Sequence, residues 1–320
     1  MKKQYVDDLK PGDFVDDIFV LSEKTVAQKK DGNNYLNVVL SDKTGSIKGV
    51  VWDNVDRIAA GPASGDVVRI QANVNEYRGV AQLVIKNMEA CSAEVFDPSV
   101  FLPATRLNID SMLQRLLAVT ASFKDDYLKA LLDAFWNDKE FVRKFKTAPA
   151  AKKMHHAYIG GLLEHTLSMA TLADKIAGHY SGIDRDLLIA GAILHDIGKT
   201  RELEYELKID YSDEGRFLSH IVIGLEMIAE KLDQIEDFPE EQKLLLKHLI
   251  VSHHGTQEFG SPEPPKTIEA VLLNYIDEMD SKVKAVRDFI ALQDSNETWT
   301  SFHRLLGRHF YVGKRDKEPN

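Results

Sequence analysis

The chain has 320 residues, of which 44% are hydrophobic and 28% charged, with one cysteine and a formal net charge of −10. These proportions suit a globular protein of about two domains and exclude a wholly disordered, collagen-like or disulfide-stapled chain. An acidic chain has no general pull toward nucleic acid, and no apolar run approaches the roughly 20 residues that cross a bilayer, so a membrane partner is not expected.

The N-terminus, MKKQYVDDLKPGD, has two lysines but no apolar stretch behind them, which argues against a secretory signal and makes the cytoplasm the default compartment. The first ninety residues read as short strands. Phe14–Leu21 is rich in β-formers, and Tyr35–Leu40 alternates with Leu36, Val38 and Leu40 on one face. Ser41-Asp-Lys-Thr-Gly45 signals a turn, and runs follow at 46–52, 66–74 and 81–86. Five strands at this spacing predict a small barrel or sandwich over residues 1–92. Pro98 and Pro103 mark residues 93–106 as a linker, in which the lone Cys91 just upstream reads as a packed or edge residue.

From Ile109 the apolar period becomes helical. Met112, Leu113, Leu116 and Leu117 form one stripe, and Tyr127, Leu128, Leu131, Leu132 and Phe135 another, so 107–150 is expected to be a helical connector. Further helices are predicted over 161–179, 186–194, 220–232, 240–251, 268–289 and 298–306, giving an all-α unit over 151–312 and a polar tail at 313–320.

Histidine separates the two halves. None of the 11 precedes His155, and nine fall between 155 and 254. His165 lies among Leu162, Leu163, Leu167 and Met169, and His195 between Ile193-Leu194 and Ile197, so both face a helical interior. Asp196 follows His195 directly, His220 opens a helix, His253-His254 ends another, and Asp277 and Asp280 share a third. A single histidine on an apolar face is usually a hydrogen-bonded core residue. Several of them with carboxylates, buried together, carry a charge that one or more divalent cations would satisfy. Neighbours on a helix point about 100° apart, so His195 can face one cation while Asp196 reaches toward a second.

The order His165, His195-Asp196, Asp277, with His-Asp-Ile-Gly-Lys at 195–199, resembles the HD-domain metal-dependent phosphohydrolases, and His220, His253 and His254 resemble the extra histidines of binuclear members. Asp277, in Tyr-Ile-Asp277-Glu-Met-Asp280, is the better match for the last ligand, with Asp280 the alternative. A small barrel, a helical connector and such a domain together are similar to the YhaM-type 3'→5' exoribonucleases, whose barrel is an OB-fold; Val38–Trp52 resembles the second and third OB strands. The resemblance implies a five-stranded OB-like barrel followed by an all-α HD bundle. It also implies one metal on His165, His195, Asp196 and Asp277, and a second on Asp196, His220 and one or both of His253 and His254. Mixed imidazole and carboxylate ligands permit Mn²⁺, Fe²⁺, Co²⁺, Ni²⁺ or Zn²⁺; the resemblance favours Mn²⁺. Asp196, Lys199 and His220 are the candidate catalytic residues, Lys199 either holding a substrate phosphate or complementing a helix end. His155 and His156 line the substrate channel or serve as capping or surface residues.

The implied partner is single-stranded RNA or DNA, with Tyr35, Trp52 and Tyr77 as base-stacking candidates and Lys48, Arg69 and Arg78 as phosphate contacts. Against this, residues 1–100 hold 12 Lys/Arg and 15 Asp/Glu. Two other functions fit the same residues: hydrolysis of a small nucleotide with a regulatory barrel, or a non-enzymatic nucleic-acid-binding adaptor. The connector's apolar stripes also suit packing against a second copy of the chain.

Overall fold

A computed structural model describes residues 2–28, 32–77, 79–91, 100–152, 156–291 and 297–313. It divides into two compact units, residues 1–106 with 203–211, and residues 107–202 with 212–320. The two-residue strands at 203–204 and 210–211 thus belong with the barrel, although they lie within the stretch expected to be one helical domain.

The first unit is a closed barrel of β1 (Phe14–Gln28), β2 (Asn34–Asp42), β3 (Gly45–Val51), β4 (Val67–Tyr77) and β5 (Val80–Ala90), in the order β1-β2-β3-β5-β4. β1 is long enough to pair with two neighbours, through Phe14–Val20 with β4 and through Val20–Gln28 with β2. Closure comes from the parallel β3–β5 pairing, Gly49 opposite Leu83 and Val51 opposite Ile85. Alternation places Leu36, Val38 and Leu40 inside with Phe19, Ile70 and Leu83, which is the reason a period of two in the sequence reads out as one apolar core. At the expected turn, Asp42 Oδ1 accepts from Thr44 N at 2.9 Å.

Two features depart from the sequence reading. The six-residue helix α1 (Val55–Ala60) plugs the core with Ile58; it is too short to show a helical period. The described end of the expected linker is packed, since Phe101 is buried with Val20 and Val67, and Lys43 N donates to the Val100 carbonyl. The prolines around it hide that burial from a periodicity argument.

The second unit contains α2 (Ile109–Ala121), α3 (Asp126–Trp136), α4 (Lys139–Thr147), α5 (Gly161–His179), α6 (Arg185–Leu194), α7 (Lys199–Glu202), α8 (Asp213–Leu232), α9 (Glu240–Ser252) and α10 (Ile268–Ala291). The starts are written locally. Asn108, Asp125, Asp138, Asp184 and Ser212 each accept a backbone N–H of the first turn with the side chain. Helix α6 is buried along its whole length apart from its first residue, consistent with a sequence apolar on every side. Helix α8 is broken at Ser219 (φ 59°, ψ 161°), so His220 begins a new helical run as the sequence suggested.

Residues 298–306 are not a helix. They form a β-bridged loop in which Trp299 pairs with Tyr311 and His303 with Arg308. Threonine and aromatic side chains favour such extended pairing, and Gly307 supplies the positive φ for the return.

Candidate metal centre

Helix α5 carries His165, the end of α6 carries His195, and the turn after it carries Asp196. The second half of α8 begins with His220, α9 ends into His253 and His254, and α10 carries Asp277. These residues, separated by over a hundred positions, meet in the interior. His165 Nε2 lies 3.3 Å from His195 Nε2, 3.3 Å from Asp277 Oδ1 and 3.8 Å from Asp196 Oδ2. On the other side of the same carboxylate, Asp196 Oδ1 is 3.5 Å from His220 Nε2 and 3.9 Å from His253 Nε2. Three donor triads result among the described residues, His165/His195/Asp277, His220/His253/His254 and, on the Nδ1 side of His165, His156/His165/Asp280, each with its ligand atoms within 4.8 Å of one another.

The far side of each ring fixes its orientation. His195 Nδ1 sits 3.0 Å from the Ala192 carbonyl and His253 Nδ1 2.6 Å from the Ile250 carbonyl. A carbonyl only accepts, so Nδ1 carries the proton and Nε2 presents its lone pair inward. His220 Nδ1 meets Glu202 Oε1 at 3.1 Å, and His165 Nδ1 meets Asp280 Oδ2 at 2.8 Å. Asp280 is itself held by the Ser168 hydroxyl, which donates at 2.5 Å. Asp280 therefore stands behind His165, while Asp277 stands beside its Nε2.

The inward atoms are left without partners. Asp196 Oδ1, His220 Nε2, His253 Nε2 and His254 Nδ1 are buried and accept or donate no hydrogen bond. Three of them converge, His220 Nε2 at 3.5 Å and His253 Nε2 at 3.9 Å from Asp196 Oδ1, which would be costly in a protein with nothing to bind there. The donor sets of imidazole nitrogens and carboxylate oxygens, without thiolate, fit a divalent metal ion.

Electrostatics agree. Burial opposes ionisation of Asp196, but Lys199, at 2.6 Å, holds its carboxyl well below the usual range. Burial likewise works against the charges of Asp277 and Asp280, and hydrogen bonds from His165 to the first and from His156 and His165 to the second keep both ionised. Burial disfavours a charged His165, yet the bonds to Asp277 and Asp280 prevail and push its pKa up to about 9. His253 moves the opposite way, well below the ordinary imidazole value, through burial and then through His195 and His254. His254 is lowered by burial and by His220. Lys199 and His165 thus supply the positive charge that balances the carboxylates.

Glycines permit the approach of the elements. A Cβ on Gly198, in His-Asp-Ile-Gly-Lys, would lie 2.0 Å from the His220 carbonyl oxygen and 2.8 Å from Gly224 N. Gly161 is similarly pressed, 2.0 Å from the His156 carbonyl.

The remaining candidates fall as follows. Lys199 opens the four-residue α7, and its ammonium lies 2.6 Å from Asp196 Oδ2. His156 is neither a cap nor a surface residue. It is buried at φ 57°, with Nδ1 3.0 Å from the Tyr158 hydroxyl and Nε2 3.6 Å from Asp280. His155 and Arg78 lie outside the described residues. On the barrel, Tyr35 and Trp52 stack with centroids 5.0 Å apart at 25°, Trp52 being 42% exposed. Lys48 is exposed on β3, opposite Val39 of the same outer face. Tyr77 is exposed at the β4–β5 hairpin, away from that stack along the strand order. Arg69 pairs with Asp16 at 2.7 Å and so offers a neutralised pair rather than an isolated cation. Sequence reasoning missed Glu202 and Ser168. Ser168 follows His165 by one helical turn and could have been sought as its support; Glu202 has no spacing relation to His220 that would reveal it.

A closed five-stranded barrel, joined in one chain to a helical unit in which histidines and aspartates form a candidate metal centre, defines a two-part protein with its chemistry in the helical part. The family model described as HD domain matches residues 162–282, and one described as OB-fold nucleic acid binding domain matches 21–90. A third, TraI_2, whose description names a helicase, matches 101–181; Gly198-Lys-Thr200 does not make a phosphate loop, because Ile193 stands where that motif needs glycine. The chain is 34% identical to the 3'-5' exoribonuclease YhaM of Bacillus velezensis over 94% of its length and 95% of the relative's. It is 32% identical to the Bacillus subtilis protein of the same name over the same shares. The chain belongs to the YhaM family.

Proposed function

We propose that this protein is a metal-dependent 3'→5' exoribonuclease that hydrolyses single-stranded RNA, with single-stranded DNA as a further substrate, in the cytoplasm. The observation that carries the metal-dependent part is the approach of His165 and His195 to one oxygen of Asp196 and of His220 and His253 to the other, with His220 Nε2 and His253 Nε2 buried without a hydrogen-bond partner. The RNA specificity and polarity follow from membership of the YhaM family.

His165, His195, Asp196 and Asp277 would hold one divalent ion, and Asp196, His220, His253 and His254 a second, Mn²⁺ being the favoured metal. Ions held there supply a more acidic water and positive charge for the phosphate. In the reaction a water oxygen bonds to phosphorus and the P–O3' bond breaks, giving a nucleoside 5'-phosphate and a strand shortened by one residue with a new 3'-hydroxyl. Ala192, Ile250, Glu202 and Asp280 keep the four rings aimed inward throughout. Lys199 holds Asp196 ionised and would also hold a substrate phosphate. The stacked Tyr35 and Trp52 and the exposed Lys48 give the barrel a sequence-tolerant surface for a single strand.

Incubating 5'-labelled single-stranded RNA with the protein and Mn²⁺ should give a ladder that shortens one nucleotide at a time, abolished by EDTA and restored by excess Mn²⁺. Intact RNA at a site shown to be metal-loaded would refute the reading. Single-nucleotide hydrolysis without any RNA shortening would favour a small-nucleotide phosphohydrolase instead.

A further inference from the structure

On the Nδ1 side of His165, away from the His165/His195/Asp277 and His220/His253/His254 triads and including His156 and Asp280 of the third, α2, α5 and α10 line a cleft of about 330 Å³. Its floor is Ser168 and Asp280, the two residues that orient His165. One wall is apolar, with Met112, Leu167, Leu172 and Val283. The wall residues recur every three or four positions on each helix, so the cleft is one face of each. Its cations are Arg115, Lys284 and Arg287. Lys284 pairs with Asp288 at 2.6 Å, whereas Arg115 and Arg287 have no ion-pair partner among the described residues. Of the two lining carboxylates, Asp280 is already compensated by His165 and Ser168, and Glu164 faces His156 at 3.8 Å. In a chain of net charge −10, a cleft with two unspent guanidinium groups stands out.

We propose that this cleft binds a nucleoside 5'-monophosphate, the phosphate on Arg115 and Arg287 and the base against the apolar wall. The choice of nucleotide rests on the activity proposed above, whose product has this chemistry. The volume sits at the low end of small-ligand sites, roughly 300–1,000 Å³, and suits one nucleotide rather than two. Guanidinium groups match phosphate geometry in two-point contacts, and an apolar wall accepts any base. Because Asp280 forms both the cleft floor and the support of His165, the site lies back to back with the metal centre rather than within it.

The test is calorimetric titration of AMP, adenosine and inorganic phosphate into the full-length protein after EDTA treatment, with the same preparation assayed for RNA shortening in Mn²⁺. AMP should bind with a Kd near or below about 1 mM, more tightly than adenosine or phosphate alone. Arg115→Glu and Arg287→Glu, both at exposed helix positions, should each weaken AMP by about tenfold or more, while Asp196→Asn leaves it unchanged. Absence of AMP binding overturns the proposal, as does phosphate binding as tightly as AMP, or AMP binding lost in Asp196→Asn but kept in the arginine variants. RNA shortening without AMP binding ends this inference and leaves the activity standing; AMP binding without RNA shortening does the reverse.

Discussion

Replacing Lys199 by methionine separates the charge that stabilises the metal-free protein from the charge that serves catalysis. The Lys199 ammonium lies 2.6 Å from Asp196 Oδ2, with the lysine side chain 16% exposed and the aspartate 4%. Burial lowers the lysine pKa, but Asp196 prevails and raises it, so both partners stay charged. Removing one member of a buried ion pair costs about 3–5 kcal/mol, because the other charge is left uncompensated. The residual exposure of Lys199 argues for the lower end, about 3 kcal/mol. For a unit of roughly 200 residues this is a fall in Tm of about 6–12 °C. A divalent ion compensates the same carboxylate, and with the ammonium gone it meets less repulsion. The variant should therefore bind Mn²⁺ more tightly than the parent protein, regain most of the lost Tm when loaded, and still hydrolyse RNA more slowly. Calorimetry on EDTA-treated and Mn²⁺-titrated protein gives the first two quantities, and a stopped RNA assay the third. A metal-free variant with the parental Tm and an unchanged Mn²⁺ affinity would refute this charge balance.

Asp196→Asn should abolish RNA shortening while circular dichroism keeps its helical signal, and retained turnover would remove Asp196 from its place between the triads. Asp280→Asn keeps the shape but weakens the acceptor behind His165, and a loss of about 10–100-fold in Mn²⁺ affinity or activity is expected from equilibrium dialysis and kinetics. Gly198→Ala places a methyl group against the His220 carbonyl, where backbone must move. A loss of about 1–3 kcal/mol or more is expected by denaturant titration, with activity falling further than stability because His220 shifts. Trp52→Ala should weaken single-stranded RNA binding by about 1–3 kcal/mol in fluorescence anisotropy, and an unchanged affinity would take the Tyr35–Trp52 stack out of the interface.

The barrel was legible because each strand has one wet and one dry face. Leu36, Val38 and Leu40 announce themselves by alternation, and the Asp-Lys-Thr-Gly turn fixes where β2 ends. Helix α5 was legible from Gly161 to His179 for the matching reason, an unbroken period between a positive-φ glycine and a polar end. What escaped was structure set by contacts rather than by period: the six residues of α1, the buried Phe101 in a proline-rich stretch, and the bridged loop at 298–306. In that loop Thr300 N bonds the Phe310 carbonyl and Val312 N the Thr298 carbonyl, pairings between residues that no local window compares.

The metal centre divides along the same line. Its inward residues were visible in sequence, since histidine and aspartate on apolar faces are expensive unless something charged is bound. The residues behind them were not, because a supporting acceptor is chosen by geometry and can be anything with an oxygen. It is a backbone carbonyl for His195 and His253, a glutamate from α7 for His220, and an aspartate one turn past the ligand aspartate for His165. That variety has a functional consequence. Carbonyl-backed rings cannot change their tautomer without losing a buried hydrogen bond, whereas His165 and His220 are each backed by a carboxylate oxygen. The two rings with carboxylate support fall in different triads, one on each side of Asp196, so each proposed ion would have one imidazole backed by a carboxylate and at least one fixed by backbone.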